Sequence, residues 1–297
     1  MKKIAVIGAA FSVGGAQTGS RRGAIFYRQH LLKKQPSWLW KGIIWQNTNS
    51  LQTYPNGIAS IRESCQKLAH QVKLRRSGYF PIVIGGDHSC AIGTWSGMTD
   101  GKRPIGLLWI DAHFDSHTPI TSQSKRIHGM PLAVLLGQGD RQLMLQTRAV
   151  VNPQYTVVFG VHSFEEGEPE LMAQLKIRYY TTTEIEKRGL RVCLQEAWRQ
   201  VAACPQGFGV SLDLDALDPS FAPAVSVPEP KGLSLPILIK ILQHLPKRGL
   251  KAVEIVEFNP YHERSKRTIN AMTALISSLI PTVKNPQKQI RGIKAPY

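Results

Sequence analysis

Aspartate and histidine side chains occupy every second position where one apolar run of the chain ends. The run 107–110 is followed by Asp111, His113 and Asp115. In an extended segment alternate side chains point to the same side, so these three groups can converge on one point. Imidazole and carboxylate groups are ligands for divalent cations. The spacing therefore predicts part of a metal site at the end of a strand.

Two further apolar runs end in groups of the same kind. The run 82–84 leads through a glycine pair to His88, and the run 208–212 leads to Asp213 and Asp215. Taken singly, an Asp-x-His-x-Asp segment is more often a solvated loop than a metal site, and a glycine pair before Asp-His can be only a tight turn. Asp213 and Asp215 alone are about as often a helix-cap and turn pair as ligands. Open α/β sheets bind ligands beyond the carboxyl ends of their strands, where the three segments would meet. So many carboxylates without a cationic side chain would repel one another unless cations bind there.

The candidate ligand set contains no thiolate. It is harder and richer in oxygen than structural zinc sites prefer, and it suits Mn²⁺. Four carboxylates balance the charge of two divalent ions, so we expect two Mn²⁺ per chain. Such ions lie about 3.5–4 Å apart and lower the pKa of a bridging water toward neutrality. The candidate ligands are His88, Asp111, His113, Asp115, Asp213 and Asp215.

The same segments resemble the signature motifs of the ureohydrolases, the family of arginases and agmatinases. The motifs are Gly85-Gly86-Asp87-His88-Ser89, Asp111-Ala112-His113-x-Asp115 and Ser211-x-Asp213-x-Asp215-x-Leu217-Asp218-Pro219. The similarity runs from Ile4 to Pro260 and is greatest to the arginases. It implies a dimanganese amidinohydrolase that converts L-arginine to L-ornithine and urea through a metal-bridging hydroxide.

The resemblance also implies roles for individual residues. To one ion, or to both as bridges, it assigns His88, Asp111, Asp115 and Asp215. To the other ion it assigns His113 and Asp213. Glu257 matches the glutamate that binds the guanidinium, and Asp115 and His128 are the candidates for delivering a proton to the leaving amine.

The loop after Asp115 resembles the arginase version of this segment, which binds the α-carboxylate of the substrate. The implied substrate contacts are His117, Ser122, Ser124, Arg126, Glu165 and Glu168. His117 and Arg126 stand where asparagines are usual, and Glu165 replaces an aspartate expected near the α-amino group. Val227 replaces a threonine near the guanidine pocket. Agmatine or another guanidino compound therefore stays open as an alternative substrate.

Apolar runs typical of strands alternate with segments of helical periodicity along the whole chain. The predicted strands are 3–8, 42–45, 81–84, 105–111, 155–159, 177–180, 207–212 and 250–256. This alternation predicts an α/β fold, a three-layer sandwich with a central, mostly parallel sheet of about eight strands flanked by helices. No linker or repeat divides the chain, so we expect residues 1–297 to form a single ureohydrolase domain with a basic tail from about 281.

The chain carries 37 basic and 20 acidic side chains, a formal net charge of +17. This excess invites a nucleic-acid partner, but the basic residues are scattered and lack the aromatic interleaving of a single-strand binder. A solvated basic surface is the favoured interpretation. A catalytically silent metal-binding or nucleic-acid-binding relative stays open as an alternative of another class.

Cysteine content and hydropathy indicate in which cellular compartment the protein is expected. The four cysteines form no Cys-x-x-Cys pair, which favours a reducing compartment, and we expect a cytoplasmic protein. No apolar run approaches the roughly 18 residues of a membrane helix. The expected partners are a small guanidino substrate and, by the resemblance alone, further copies of the chain in a trimer or hexamer.

Overall fold

The structure is a computed structural model that describes residues 3–34, 38–73, 78–99 and 103–280. The side chains of residues 32–34 are outside this description. The predicted basic tail from about 281 also lies outside the described residues.

Eight strands form one sheet in which every pairing is parallel. They are β1 (Lys3–Ala10), β2 (Leu39–Trp45), β3 (Tyr79–Ile84), β4 (Ile105–Ile110), β5 (Val151–Val161), β6 (Arg178–Thr181), β7 (Phe208–Asp213) and β8 (Leu250–Val256). Their order across the sheet is β2-β1-β3-β8-β7-β4-β5-β6. A parallel sheet needs both faces covered, which explains why its central strands are almost continuously apolar.

Helices cover both faces of the sheet. They are α1 (Gly23–Lys34), α2 (Ile58–Val72), α3 (Ala91–Thr99), α4 (Pro131–Leu135), α5 (Glu168–Gln174), α6 (Thr182–Arg188), α7 (Leu190–Ala202), α8 (Leu235–His244) and α9 (Arg267–Leu279). One apolar core joins the sheet to α1, α6, α7, α8 and α9, and a second joins its other face to α2, α3, α4 and α5. The predicted three-layer α/β sandwich is confirmed.

Strand alternation divides the side chains of β4 between the two cores. Leu108 and Ile110 pack in the core beneath α7, whereas Leu107 and Trp109 pack in the core beneath α3. Because successive side chains of a strand point to opposite faces, one apolar run supplies both layers.

Several strands extend beyond their predicted limits, and the largest differences are in β2 and β5. β2 begins at Leu39 rather than at residue 42, and β5 runs from Val151 to Val161 although Pro153 interrupts the sequence pattern. Proline is tolerated there because β6 pairs with β5 only from Val157 onward, and the pairing with β4 is irregular nearby. Edge positions and irregular pairings leave little trace in hydrophobic periodicity.

The strands that carry the candidate ligands are neighbours in the middle of the sheet. β3, β8, β7 and β4 lie side by side in that order, and their carboxyl ends meet at one edge. Residues 112–125 form no helix or strand and follow β4 at this edge, as the sequence predicted, and a short helical turn begins at Ile127 rather than after it. Among the described residues, no helix is long and apolar enough to cross a membrane.

Close packing of α3 on the sheet leaves no room for a side chain at Gly209 in β7. A Cβ atom at this position would lie 1.9 Å from the ring of Trp95. We expect Gly209→Ala to lower the free energy of unfolding by about 1–3 kcal/mol through overpacking, measurable as a lower urea midpoint. Val192→Ala on the exposed face of α7 is the control and should change it by less than about 0.5 kcal/mol. Equal stability of Gly209→Ala and the wild type would contradict this account of the packing.

Candidate metal centre

One cluster of candidate ligands surrounds the imidazole of His88. Its Nδ1 atom lies 3.1 Å from Asp111 Oδ2, 3.0 Å from Asp115 Oδ2 and 3.2 Å from Asp213 Oδ2. His88 and Asp111 are fully buried, and the other two carboxylates are nearly so. Nδ1 nevertheless has no partner in hydrogen-bond geometry. A buried nitrogen that faces several carboxylates without hydrogen bonding to them is the arrangement expected around a cation.

A second cluster surrounds His113 on the side of the cavity. Its Nδ1 atom lies 3.4 Å from Asp111 Oδ1 and 3.3 Å from Asp215 Oδ2. The potential ligand atoms of this group lie within 4.8 Å of one another, as do those of His88, Asp111 and Asp213. Asp111 directs one carboxylate oxygen at each cluster and therefore links the two.

The two carboxylates of the third motif are distributed differently from the expectation. The resemblance had grouped Asp215 with His88 and Asp213 with His113, and this grouping is wrong. Asp213 ends β7 and faces His88. The chain then enters a short helical turn, capped by hydrogen bonding of Asp215 N–H to Asp213 Oδ1, and this turn carries Asp215 to His113.

Electrostatics favour cations at these clusters. Burial raises the pKa of Asp213 well above its usual range, and the charges of Asp215 and Asp111 raise it further. Burial and the Asp111 charge likewise raise the pKa of Asp115 to about 7. Burial opposes charge on His88, but the surrounding carboxylates outweigh it and raise the pKa of this imidazole well above its ordinary value. Buried carboxylates this close together need a compensating cation, so the donor set fits divalent metal ions.

A glycine pair allows His88 to reach the centre. Gly86 passes so close to β1 that a Cβ atom there would lie 1.9 Å from the carbonyl oxygen of Phe11. The Asp87 N–H donates to the same carbonyl, at 3.0 Å. The Asp87 carboxylate then accepts from Ser89 N–H and caps the helical turn that carries His88. The glycines in this motif serve close backbone approach rather than phosphate binding.

Glu257 and His128 face each other beside the metal ligands. Glu257 Oε1 lies 3.2 Å from His128 Nδ1 and accepts from the backbone N–H of His88 at 3.0 Å. Glu257 and Asp115 both adopt left-handed backbone conformations, with φ of 65° and 52°. Such conformations are costly for residues other than glycine and occur preferentially at functional sites. Burial opposes charge on His128, but hydrogen bonding to Glu257 raises its pKa above the ordinary value.

A cavity of about 290 Å³ opens over both clusters. Of the predicted substrate contacts, five contribute to its wall, namely His117, Ser124, Arg126, Glu165 and Glu168. Ser122 does not, which corrects the expectation that its hydroxyl faces a substrate. Its side chain is buried inside the loop, where Oγ accepts from the backbone N–H of Lys125 at 3.0 Å.

The two predicted amine-binding glutamates play different parts. Glu168 is buried, and its oxygens accept from the backbone N–H groups of Ser116 and Glu165 at 3.1 Å and 3.2 Å. Its carboxylate thus ties two loops together. The side chain of Glu165 is 47% exposed, and one oxygen of each glutamate lies 3.4 Å from His117 Nε2. Glu165 is therefore the freer of the two to meet a ligand.

Sequence reasoning missed Glu229. Its Oε1 lies 3.4 Å from His113 Nε2, the ring nitrogen opposite the metal-facing one, and the residue lines the cavity. Hydrogen bonding to His113 lowers the pKa of Glu229. Its position between Pro228 and Pro230 was an available sign, because flanking prolines restrict the backbone around a side chain.

The fold and the two clusters define an α/β protein with a candidate binuclear metal centre at the carboxyl edge of its sheet. Glu257, His128 and the cavity add the groups that a hydrolase of a cationic substrate needs beside such a centre.

Comparison with known proteins identifies the family. The sequence profile described as "Arginase family" matches residues 2–281. Arginase from Bacillus subtilis (strain 168) is 35% identical over 291 residues, which cover 94% of this chain and 98% of that arginase. Arginase from Bacillus caldovelox is 36% identical over 226 residues, which cover 75% of this chain and 76% of that arginase. The crystal structure of arginase from Bacillus subtilis has a TM-score of 0.86 at 32% identity and covers 95% of this chain and 100% of its own.

The chain belongs to the arginase family. The predicted resemblance to ureohydrolases, most like arginase, is thereby confirmed.

Asp111 is the residue whose loss should affect both clusters. Asp111→Asn keeps the shape of the side chain but removes the negative charge that faces both His88 and His113. We expect the purified variant to lose most of the divalent metal that the wild type retains, measured by elemental analysis after dialysis. Asp140→Asn is the control, because Asp140 bonds to Tyr54 outside the cavity. Wild-type metal content in the Asp111 variant would contradict the assignment.

Proposed function

We propose that this protein is a dimanganese amidinohydrolase that hydrolyses the guanidinium of L-arginine to L-ornithine and urea. The observation that carries the proposal is the pair of carboxylate-histidine clusters joined by Asp111 beneath a cavity that also contains Glu257. Family membership supports the reaction. A guanidinium carbon is a poor electrophile, so its hydrolysis needs both an activated nucleophile and a group that orients the substrate.

Metal binding falls to the two clusters in this proposal. His88, Asp111, Asp115 and Asp213 would hold one Mn²⁺, and His113 with Asp111 and Asp215 would hold the other. When bound, a pair of divalent ions supplies an ionised water as the nucleophile near neutral pH. The absence of thiolates and the excess of carboxylate oxygens favour Mn²⁺ over zinc at such a site.

Glu257 would bind and orient the guanidinium. Its carboxylate lines the cavity, and its backbone follows β8 directly, so the position of its side chain is fixed by the sheet. A carboxylate matches the planar hydrogen-bond donors of a guanidinium and balances its charge. Hydrogen bonding from His88 N–H restrains one of its oxygens before a substrate arrives.

Departure of the amine requires a proton, and His128 is placed to deliver it. Its ring lines the cavity, and Nδ1 lies beside Glu257 Oε1. A proton on Nδ1 is thus stabilised by that carboxylate, and Nε2 is left for exchange with the reacting groups. Asp115 is the second candidate because it also lines the cavity.

The far end of an amino-acid substrate would meet groups of opposite charge. Arg126 and Ser124 line one part of the cavity wall, and Glu165 lines another. A guanidinium and a hydroxyl suit an α-carboxylate, whereas a carboxylate suits an α-amino group. This pairing favours arginine over agmatine, which has no carboxylate.

Urea release from L-arginine and from agmatine, assayed side by side with Mn²⁺ present, tests the proposal. We expect urea from arginine at the higher kcat/KM. Urea from agmatine alone would transfer the assignment to the alternative substrate. Urea from neither, together with salt-sensitive binding to DNA or RNA, would favour the catalytically silent relative instead.

Glu257→Gln tests the guanidinium contact in the same assay, because it keeps an acceptor for His88 N–H and removes the charge that would bind the guanidinium. Its kcat/KM for arginine should fall by about 100-fold or more, while its metal content stays that of the wild type. Activity equal to the wild type would exclude Glu257 from guanidinium binding.

Arg126 offers a test of how the carboxylate is recognised. Arg126→Ala should raise KM for L-arginine roughly tenfold, the size of one partly exposed charge-assisted hydrogen bond of about 1.4 kcal/mol. KM for agmatine should be unaffected, or fall, because agmatine has nothing to offer this guanidinium. Arg141→Ala removes a positive charge outside the cavity and serves as the control. An equal rise in KM for L-arginine and for agmatine would show that Arg126 does not bind the α-carboxylate of the substrate.

We also propose that residues 1–297 act as a single ureohydrolase domain, because the family profile spans most of the chain and one sheet carries both cores. A cytoplasmic location is supported by the four cysteines, all buried and free. The expectation of a trimer or hexamer rests on the resemblance, and light scattering during size-exclusion chromatography measures it.

A further inference from the structure

Behind the metal ligands, a second row of polar side chains crosses the middle of the sheet. Trp109 in β4 is in register with Ser211 in β7, which is in register with Glu254 in β8. Trp109 and Ser211 precede Asp111 and Asp213 by two residues, so strand alternation turns them to the same face as the ligands. The three side chains of this supporting row are fully buried.

Glu254 gathers hydrogen-bond donors from two elements. Trp95 Nε1 and Ser211 Oγ donate to its Oε2 at 3.1 Å and 2.7 Å, and Thr94 Oγ1 donates to its Oε1. The indole N–H can only donate, so Oε2 acts as an acceptor. A buried carboxylate would be costly without such partners, and each oxygen of Glu254 has at least one.

The hydrogen on the Ser211 hydroxyl decides how His88 is oriented. Ser211 has one hydrogen to donate, and it goes to Glu254. Its oxygen therefore accepts from His88 Nε2, which lies 3.0 Å away. A hydrogen held on Nε2 leaves Nδ1 as the ring atom whose lone pair can reach a cation. Nδ1 is the atom that faces Asp111, Asp115 and Asp213.

Trp109 restrains the same imidazole from its face. The two rings stack with centroids 4.0 Å apart and planes within 8° of parallel. Trp109 Nε1 also donates to Asp111 Oδ2 at 2.9 Å. One indole thus fixes the plane of His88 and the rotation of the carboxylate that joins the two clusters. Stacking leaves the His88 ring able to rotate only within its own plane. The hydrogen bond between His88 Nε2 and Ser211 restrains that rotation.

We propose that Ser211 and Glu254 are positioning residues that hold His88 with Nδ1 directed at a divalent cation. The inference rests on the proposed function and extends it to residues that touch neither metal nor substrate. Partners of this kind fix the tautomer and orientation of a ligating histidine, and their loss typically lowers metal affinity about 10- to 100-fold.

The test is Mn²⁺ binding to metal-stripped protein, measured by titration calorimetry without substrate. Ser211→Ala removes the acceptor for His88 Nε2, so its dissociation constant should rise about 10- to 100-fold. Thr94→Val is the matched control, because it removes a hydrogen bond to Glu254 without contact to His88. Its affinity should stay close to that of the wild type. Thermal unfolding of each metal-free protein measures general damage separately.

Glu254→Gln provides a conservative second variant. Trp95 N–H keeps the amide oxygen where Oε2 was, so Ser211 still has an acceptor and His88 keeps its hydrogen on Nε2. Metal affinity should therefore fall less than in Ser211→Ala. The positioning role of Ser211 and Glu254 is overturned if Ser211→Ala binds Mn²⁺ with wild-type affinity, or if Ser211→Ala and Thr94→Val lose equal affinity. It is also overturned if Glu254→Gln loses more affinity for Mn²⁺ than Ser211→Ala does. A wild type that binds no Mn²⁺ overturns the proposed function as well.

Discussion

Repulsion among buried carboxylates is the constraint on which this structure depends. Asp111, Asp115 and Asp213 direct oxygens at one imidazole nitrogen, at 3.0–3.2 Å. A folded chain can tolerate this concentration of charge only with cations or protons among the carboxylates, and only if other interactions hold the groups in place. Metal binding and the rigidity of the surrounding sheet are therefore two parts of one requirement.

The parallel sheet supplies that rigidity through its register. Ligands follow directly on β4, β7 and, through the glycine turn, on β3, and Glu257 follows on β8. Because each side chain in a strand has a fixed face and depth, the ligand row and the supporting row behind it are set by pairing between strands. Loops alone would leave the carboxylates free to move apart. The predicted substrate contacts that line the cavity lie on loops or, for Glu168, at the first residue of α5, and not on the strand ends that carry the candidate ligands.

The sequence predicts which side chains gather in the two clusters, but it does not predict the row of polar side chains behind them. Asp111, His113 and Asp115 can be identified from the sequence because they occupy every second position after an apolar run, which is a local property of the chain. Asp213 and Asp215 were predicted as ligands but each was grouped with the other histidine, because the helical turn that separates them depends on a cap that spacing does not reveal.

Other features escaped because they depend on distant parts of the chain. Trp109 and Ser211 share the period of the ligands, yet a tryptophan and a serine in apolar runs are ordinary core residues until the register with Glu254 is known. Ser122 was expected in the cavity because its hydroxyl matches a motif. The turn closed by Lys125 N–H buries that hydroxyl instead. Motif matching places a residue on a loop, but the hydrogen bonds of the loop decide where its side chain points.

The uneven distribution of charge resolves the apparent conflict between a basic protein and a cationic substrate. Among the described residues, seven of the chain's 20 acidic side chains line the cavity, but only one of its 37 lysines and arginines does. Ionic screening limits the reach of surface charges to about 8 Å at physiological salt. The basic exterior is therefore screened along most of the approach, and the acidic cavity determines the potential that the substrate meets at short range. Bound divalent cations would offset part of this charge, so the glutamates nearer the mouth, Glu165 among them, carry more of the attraction than the metal ligands do.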